Sequence, residues 1–260
     1  MTVHPIRESS VRPSPIFLLI LAIAVGGAVL AWMSAANYEP LAYVGVFTFI
    51  IAGWVVSLSL HEFAHAFTAW RFGDHDVAVR GYLTLNPFKY ANPVLSVVFP
   101  VLIILIGGIG LPGGAVWVRT SFMTKAQKTI VSLAGPSTNV VSAVVLLGTT
   151  ALLYDEEHLV FWGGMAFMGF LQVTAAVLNL LPIPGLDGYS ALEPHLSPQT
   201  QRALDPVKQW GFFVLLLLLI ATPLNRYFFD VVNWFVESSG VQDGLVGTGY
   251  RLTRFWSAWF

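Results

Sequence analysis

Residues 60–66 read Leu-His-Glu-Phe-Ala-His-Ala, and they lie inside an apolar run that extends from about Tyr43 to Phe72. A transmembrane helix needs about 20 predominantly apolar residues, so this run is long enough to cross a membrane. Ionisable side chains at membrane depth are costly and mark functional sites. The run therefore predicts a membrane helix that carries a functional group of two histidines and one glutamate, with the other segments packed around it.

The composition indicates an integral membrane protein. Of the 260 residues, 56% are hydrophobic and 10% are charged, and the mean hydropathy is +0.71. Soluble domains carry about 25% charged residues. The formal net charge of -1 gives no indication of nucleic-acid binding, so no nucleic-acid partner is expected. Because the chain has no cysteine, a metal site must use histidine, aspartate or glutamate.

The apolar runs predict an all-α polytopic protein with about five to six transmembrane segments, one re-entrant segment and a small β-strand element. The runs that read as spans are 15–33, 41–72, 129–154, 161–181 and 207–236. Prolines and glycines interrupt the run 94–112, and a full crossing would place the basic residues after it outside, against the positive-inside tendency. We therefore predict a re-entrant course for it. The interruption at 222–226 makes the last run either one kinked span or a span plus an interfacial helix.

The chain is expected to comprise a cytoplasmic N-terminal tail, a membrane domain and a C-terminal tail. Residues 1–14 carry two arginines, which predicts a cytoplasmic N-terminus in a multi-pass protein of the cell membrane. The membrane domain is 15–236, with its core at 41–188, and the C-terminal tail is 237–260. The first apolar run lacks a small-residue cleavage site at its end, so it is interpreted as a retained span.

The small β-strand is predicted directly after the motif helix. Residues 77–85 alternate between apolar and polar side chains with a period of two and end at Asn86-Pro87. The apolar side would hold Val77, Val79, Leu83 and Leu85. An extended peptide could pair with the edge of such a strand. The alternative is a cytoplasmic hairpin with no role in substrate binding.

His61 and His65 are four residues apart, so a helix projects both from one face, one turn apart. This spacing suits two neighbouring ligands of a zinc ion. Glu62 lies about 100° away on the helical wheel, where it can reach a water on the metal without binding the metal itself. Ser57 and Thr68 extend this polar stripe, which should face the protein interior or a wet cavity.

A catalytic zinc site keeps three protein ligands and one open position, so the motif needs a third ligand. The candidates are the carboxylates and the remaining histidines, His4, His75, His158 and His195. Asp187 is favoured because it follows a span that returns to the level of the motif. Asn179, at the end of that span, would either hydrogen-bond a substrate carbonyl or make an interhelical hydrogen bond. Glu62 would serve as the general base and then the general acid.

Two stretches of the chain resemble the signatures of the site-2 protease family of intramembrane zinc metalloproteases. Residues 61–65 (HEFAH) match the family's H-E-x-x-H, and residues 179–188 (NLLPIPGLDG) resemble its N-x-x-P-x-x-x-x-D-G. Residues 134–139 are similar to the small-residue helix between the two signatures. The resemblance implies that Asp187 is the third ligand of one Zn²⁺ per chain and that Asn179 contacts substrate.

The resemblance covers about residues 53–188 and implies regulated intramembrane proteolysis. The expected reaction is hydrolysis of a peptide bond within or next to the transmembrane segment of a single-span membrane protein, inside the lipid bilayer. Asn-Pro pairs at 86–87 and 92–93 are similar to loops of the compact bacterial branch, which lacks PDZ and CBS domains. The sequence sets no oligomeric state.

Three other functions could use the same residues. A membrane metal transporter would need acidic or histidine ligands on several spans, and few are present. A di-iron oxygenase needs several histidine clusters, whereas only one pair among the six histidines has helical spacing. A non-catalytic metal-binding scaffold would not need the full set of His61, Glu62, His65 and Asp187. The transporter and the scaffold remain the alternatives to the protease.

Overall fold

The computed structural model describes residues 11–90, 116–254 and 256. Ten α-helices lie within these residues, joined by turns and short 3₁₀ segments. In chain order they are α1 Pro15–Met33, α2 Pro40–Arg71, α3 Asp76–Val79, α4 Lys125–Leu153, α5 Leu159–Asn179, α6 Asp187–Leu192, α7 Pro198–Leu204, α8 Lys208–Ala221, α9 Leu224–Ser238 and α10 Leu245–Thr253. The described part of the chain is thus all-helical, as the apolar runs predict.

Four helices, α1, α2, α4 and α5, are long and apolar enough to cross a membrane. They coincide with four of the predicted spans. The fifth run is divided at Thr222-Pro223 into α8 and α9, which are 14 and 15 residues long. The run 94–112, with its predicted re-entrant course, lies outside the described residues. The total number of spans therefore stays a prediction.

Local sequence signals set where these helices begin. α1 starts with Pro15 at its first position, and the hydroxyl of Ser14 accepts a hydrogen bond from the N–H of Phe17 at 3.1 Å. α4 starts with a capping box, in which Thr124 and Gln127 each accept a hydrogen bond from the backbone N–H of the other. Both devices satisfy backbone donors that a helix leaves unpaired in its first turn.

The prediction of a β-strand over residues 77–85 is wrong. Residues Asp76–Val79 form α3, and Tyr82–Thr84 form a 3₁₀ turn between two residues of positive φ, Gly81 and Leu85. The alternation does not match burial, because Val79 is 70% exposed while Tyr82, on the presumed polar side, is 4% exposed. Burial of Val77, Tyr82 and Leu83 against α2 stabilises the compact turn instead. The proposed pairing of a peptide with this strand has no basis.

The bundle has an interior helix and a peripheral one. In the most apolar window of α5, 78% of the residues are buried inside the protein, against 22% for α1. α5 packs against α2, α4 and α10, while α1 rests mainly on α2 and presents Leu18, Leu19 and Val25 outward. Residues 245–253, in the stretch set apart as the C-terminal tail, form a helix that covers α5. The core of the bundle is therefore built around α2 and α5.

Candidate metal centre

α2 carries the histidines and the glutamate of the motif into the interior of the bundle. His61, Glu62 and His65 are 6%, 2% and 7% exposed, and Ser57, one turn earlier, is also buried. The helix is continuous through the motif, so the two histidines project from one face as their spacing predicts. The predicted polar stripe thus faces protein, which is where polar side chains of a membrane helix are tolerated.

Asp187 meets both histidines. Its Oδ2 atom lies 3.2 Å from Nε2 of His61 and 3.4 Å from Nε2 of His65, and the two Nε2 atoms are 3.1 Å apart. α5 ends at Asn179, a proline-containing turn follows, and α6 begins at Asp187 itself. The structure therefore brings together the three residues that were predicted as ligands.

The other histidines lie elsewhere. His75 precedes α3, and His158 bonds Asp155 at 2.8 Å in the loop between α4 and α5. His195 lies 3.0 Å from the hydroxyl of Thr129. His4 is outside the described residues. Among the residues that the structure describes, none of these other histidines belongs to the group formed by His61, His65 and Asp187.

Gly188 allows Asp187 to reach the histidines. A Cβ atom at this position would lie 2.3 Å from the carbonyl oxygen of Leu180 and 2.6 Å from that of Leu181. The start of α6 is therefore pressed against the end of α5, and only glycine fits this close backbone approach. The Asp-Gly pair thus has a structural reason: the first residue offers the carboxylate and the second lets its helix come near enough.

The donor set fits a divalent metal ion. The three ligand atoms all lie within 4.8 Å of one another. Two imidazole nitrogens and one carboxylate oxygen are typical of catalytic zinc sites, which leave a fourth position for water or substrate. Oδ2 of Asp187 faces both imidazole nitrogens, so the group presents one oxygen and two nitrogen ligands to the same point.

One face of α4 completes the surroundings of the two imidazoles. Nδ1 of His61 donates to Oδ1 of Asn139 at 2.6 Å, and Nδ1 of His65 donates to the carbonyl of Val131 at 2.7 Å. These bonds leave both Nε2 atoms as acceptors or metal ligands, which is how metal-binding histidines are usually oriented. The predictions treated residues 134–139 only as a small-residue helix. The spacing of Val131, Gly135 and Asn139 by four was the signal that they share a face.

Gly135 leaves the space in front of the imidazoles open. A Cβ atom on this residue would lie 2.2 Å from Nε2 of His65 and 2.5 Å from Nε2 of His61. Zinc binds imidazole nitrogen at about 2.0–2.1 Å, so this Cβ atom would lie in the space that a metal ion between the two nitrogens needs. Glycine is therefore required at this position because any side chain would fill the place where both ligands point.

The substitution Gly135→Ala is expected to weaken zinc binding by about 10–100-fold, because overpacking by one methyl costs about 1–3 kcal/mol. The matched control is Gly148→Ala on the same helix, where a Cβ meets nothing within 4 Å. Zinc affinity of both purified variants, measured by competition with a chelator, checks the prediction. Equal affinities would show that the space beside Gly135 is not used by the metal.

Glu62 lies beside this group but is not part of it. Its Oε2 atom accepts a hydrogen bond from the backbone N–H of Val116 at 3.1 Å. The segment after Val116 is held in turn by Asp74, whose Oδ2 atom accepts from the N–H of Arg119 at 2.7 Å. A backbone donor carries no side-chain signal, so the sequence could not have indicated this contact.

Asn179 is the last residue of α5 and is 4% exposed. Its side chain makes none of the hydrogen bonds found among the described residues. The interhelical hydrogen bond that was one of its two predicted uses is therefore not observed within them. Its predicted contact with substrate stays a prediction.

Comparisons with known proteins identify relatives along the whole chain. The protein named "Putative zinc metalloprotease Rip2" from Mycolicibacterium smegmatis is 64% identical over 260 residues, which is 100% of both chains. Its namesake from Mycobacterium tuberculosis is 60% identical over 254 residues, 98% of each chain. "Putative zinc metalloprotease YwhC" from Bacillus subtilis is 32% identical over 199 residues, 73% of this chain and 86% of the relative. No protein-family model and no solved structure matches the chain.

Proposed function

Because the chain belongs to the site-2 protease-like family of zinc metalloproteases, we propose that it hydrolyses a peptide bond within or next to the transmembrane segment of a membrane protein. One observation carries the proposal: three side chains that could hold a metal ion, with the carboxylate of Glu62 beside them, lie among helices long enough to cross a membrane. The cofactor is Zn²⁺, as in the family. We propose one ion per chain, held by His61, His65 and Asp187.

The depth of the site supports a substrate bond inside the membrane. His61 lies roughly 15 Å along the helix axis from Arg71, the charged residue that ends α2, at about 1.5 Å per residue. The hydrocarbon core is about 30 Å thick, so a site at this distance from an interfacial arginine lies near its middle. A soluble peptide would have to enter the bundle to reach it, whereas a membrane segment is already at this level.

Glu62 is proposed to handle the protons of hydrolysis. Bound zinc polarises a carbonyl oxygen and lowers the pKa of a coordinated water toward about 7. The carboxylate of Glu62 accepts a proton from the attacking water and then donates it to the leaving nitrogen. The N–H of Val116 holds Oε2 of that carboxylate. Because this donor is a backbone group, it keeps the carboxylate in place without competing for the proton.

Asn179 is proposed to bind the substrate backbone. Its amide is an unused donor and acceptor among the described residues, and it lies on the segment that leads to Asp187. A peptide bond cannot be cleaved while its carbonyl is paired within a helix, so the enzyme must offer a replacement partner. An amide side chain supplies both a donor and an acceptor for that purpose.

The distribution of charge supports a cytoplasmic N-terminus in the cell membrane. The N–H of Ser14 bonds the carbonyl of Thr84 at 2.8 Å, so the start of α1 lies at the same end of the bundle as the loop after α2. The basic residues Arg71 and Lys125 are at this end, while the acidic loop with Asp155 joins α4 and α5 at the other. Cytoplasmic loops carry an excess of lysine and arginine.

The metal-transporter alternative finds little support in the four long helices. α1 and α5 contain no charged residue or histidine, α2 has none before His61, and α4 has none after Lys128. These helices therefore offer no ligands that would carry a metal ion from the site to the acidic end of the bundle. One buried group of metal ligands without a path of further ligands is sufficient for an enzyme but not for a transporter.

The test of the proposed function is cleavage in liposomes that contain the purified protein, zinc and single-span reporter proteins. The reporters carry different transmembrane segments, with and without helix-breaking residues near the middle. We expect products cut within or a few residues from the apolar segment, as identified by mass spectrometry. Cleavage of an unstructured soluble protein such as casein, with all reporters intact, would contradict an intramembrane substrate.

A further inference from the structure

Three buried polar side chains stand behind His61 and take no part in the proposed reaction. Ser57 on α2, Asn139 on α4 and Gln172 on α5 are 9%, 3% and 0% exposed. They bond one another: the hydroxyl of Ser57 donates to Oε1 of Gln172 at 2.6 Å, and Nδ2 of Asn139 donates to the same oxygen at 2.8 Å. Buried polar groups in membrane helices are costly and usually functional.

The surroundings leave these side chains few other partners. A cavity of about 580 Å³ between α1 and α4 reaches Ser57 and Gln172, and its lining is predominantly apolar. The remaining amide nitrogen of Gln172 faces the sulfur of Met168 at 3.7 Å, a weak acceptor. The oxygen of Gln172 therefore points to Ser57 and Asn139, and it accepts a hydrogen bond from each of them.

This arrangement gives the hydrogen bonds a direction. Because Oε1 of Gln172 can only accept, Asn139 must turn its NH₂ group toward it. The oxygen of Asn139 then faces His61 and can only accept, so Nδ1 of His61 must carry its proton. Nε2 of His61 consequently keeps a free lone pair toward Asp187 and His65.

We propose that Gln172 is a positioning residue for the metal centre: through Asn139 it fixes the His61 tautomer that can bind zinc. The inference rests on the zinc site of the proposed function. His65 needs no such device, because its Nδ1 bonds the backbone carbonyl of Val131, which has no amide nitrogen to present. An asparagine amide can rotate by 180° and offer a donor instead, so the His61 side requires a group that prevents this rotation.

A purely structural role for the same bonds makes a different prediction. If the three side chains only join α2, α4 and α5, then removing Gln172 lowers the stability of the protein. Its zinc affinity would then equal that of a variant in which another, equally buried polar residue is removed. Thr174 provides that comparison on the same helix: it is 0% exposed and bonds only the carbonyl of Phe170, at 2.8 Å, one turn earlier.

The first experiment measures zinc affinity of the full-length protein in detergent by chelator competition. Gln172→Met removes the accepting oxygen at similar length and is expected to weaken zinc binding by about 10–100-fold, the usual effect of losing an outer partner of a metal ligand. Gln172→Glu keeps an accepting oxygen, so its zinc affinity should lie above that of Gln172→Met. Affinity of Gln172→Met no lower than that of Thr174→Val would overturn the proposal.

The second experiment takes its result from wild-type protein and uses a variant only to assign the signal. Metal-free wild-type protein labelled with ¹⁵N-histidine should show a protonated Nδ1 on His61, because the chemical shift of an imidazole nitrogen depends on whether that nitrogen carries a proton. The spectrum of His61→Asn identifies the signal. An unprotonated Nδ1 on His61 in wild type would refute the directional chain from Gln172.

These readouts separate the inference from the proposed function. Protein that binds zinc in a Gln172-dependent way but cleaves no membrane reporter would leave the positioning role standing and remove the protease proposal. Protein that cleaves reporters and binds zinc equally well with Gln172→Met would do the reverse.

Discussion

Replacing Glu62 with glutamine is expected to lower the rate of reporter cleavage by about 10²–10⁴-fold, the contribution typical of a general acid–base. The protein should keep its zinc, because Glu62 is not among the residues whose ligand atoms meet. Glutamine has nearly the same shape, and its oxygen can still accept from the N–H of Val116. It cannot take up a proton at neutral pH, so the substitution removes the chemistry and little else.

The measurement is single-turnover cleavage in liposomes, with zinc content determined on the same samples. The matched control is Glu157→Gln, the same change at an exposed glutamate in the loop between α4 and α5, which should leave the rate unchanged. Cleavage by Glu62→Gln at the wild-type rate would exclude Glu62 as the proton carrier. Loss of zinc together with activity would assign Glu62 a structural role.

The substitutions Asp187→Ala and His65→Ala are each expected to abolish stoichiometric zinc binding. Each substitution removes one of three ligands. Zinc affinity should therefore fall by more than the factor of about 10–100 that follows removal of an outer hydrogen-bond partner. Asp187→Ala has the further effect of removing the negative charge that faces the two imidazoles at 3.2 and 3.4 Å. We expect about one zinc per chain in wild type, as a catalytic site requires, and a small residual fraction in both variants.

Metal analysis of the purified proteins checks this result. Asp76→Ala and His75→Ala are matched controls, because the two residues are exposed neighbours near α3 and belong to no ligand group in the described structure. Both controls should retain zinc. Zinc that survives Asp187→Ala would mean that another residue supplies the third ligand, and the pairing of α2 with α6 as two halves of one site would be wrong.

The candidate site was largely predictable because its residues repeat with the period of a helix. The four-residue spacing of His61 and His65 is enough to place them on one face, whatever surrounds the helix. Asp187 could be expected to join them from its place after a returning span and from the resemblance of residues 179–188 to a known signature. In the structure, Oδ2 of Asp187 lies within 3.4 Å of Nε2 of both histidines.

The predicted strand at 77–85 failed for an equally clear reason. Alternation of apolar and polar residues indicates a strand only if one side is buried against a sheet or core. Here both Tyr82 and Leu83, neighbours in sequence, are buried against α2, and positive φ at Gly81 and Leu85 ends any extended course. The surface offered by α2 decided the local conformation, and that surface is not visible in nine residues of sequence.

The sequence by itself determined the long helices, the membrane character and the shared face of the two candidate ligands His61 and His65, because hydropathy and helical period act within one segment. Only the tertiary structure decided which groups meet between segments: Gly135 leaving space before the imidazoles, Val116 donating to Glu62, and Gln172 orienting Asn139. These contacts depend on the axial offset and rotation of one packed helix relative to another. A shift of one residue along α4 would preserve every sequence pattern and lose the contacts that Gly135 and Asn139 make with the two histidines.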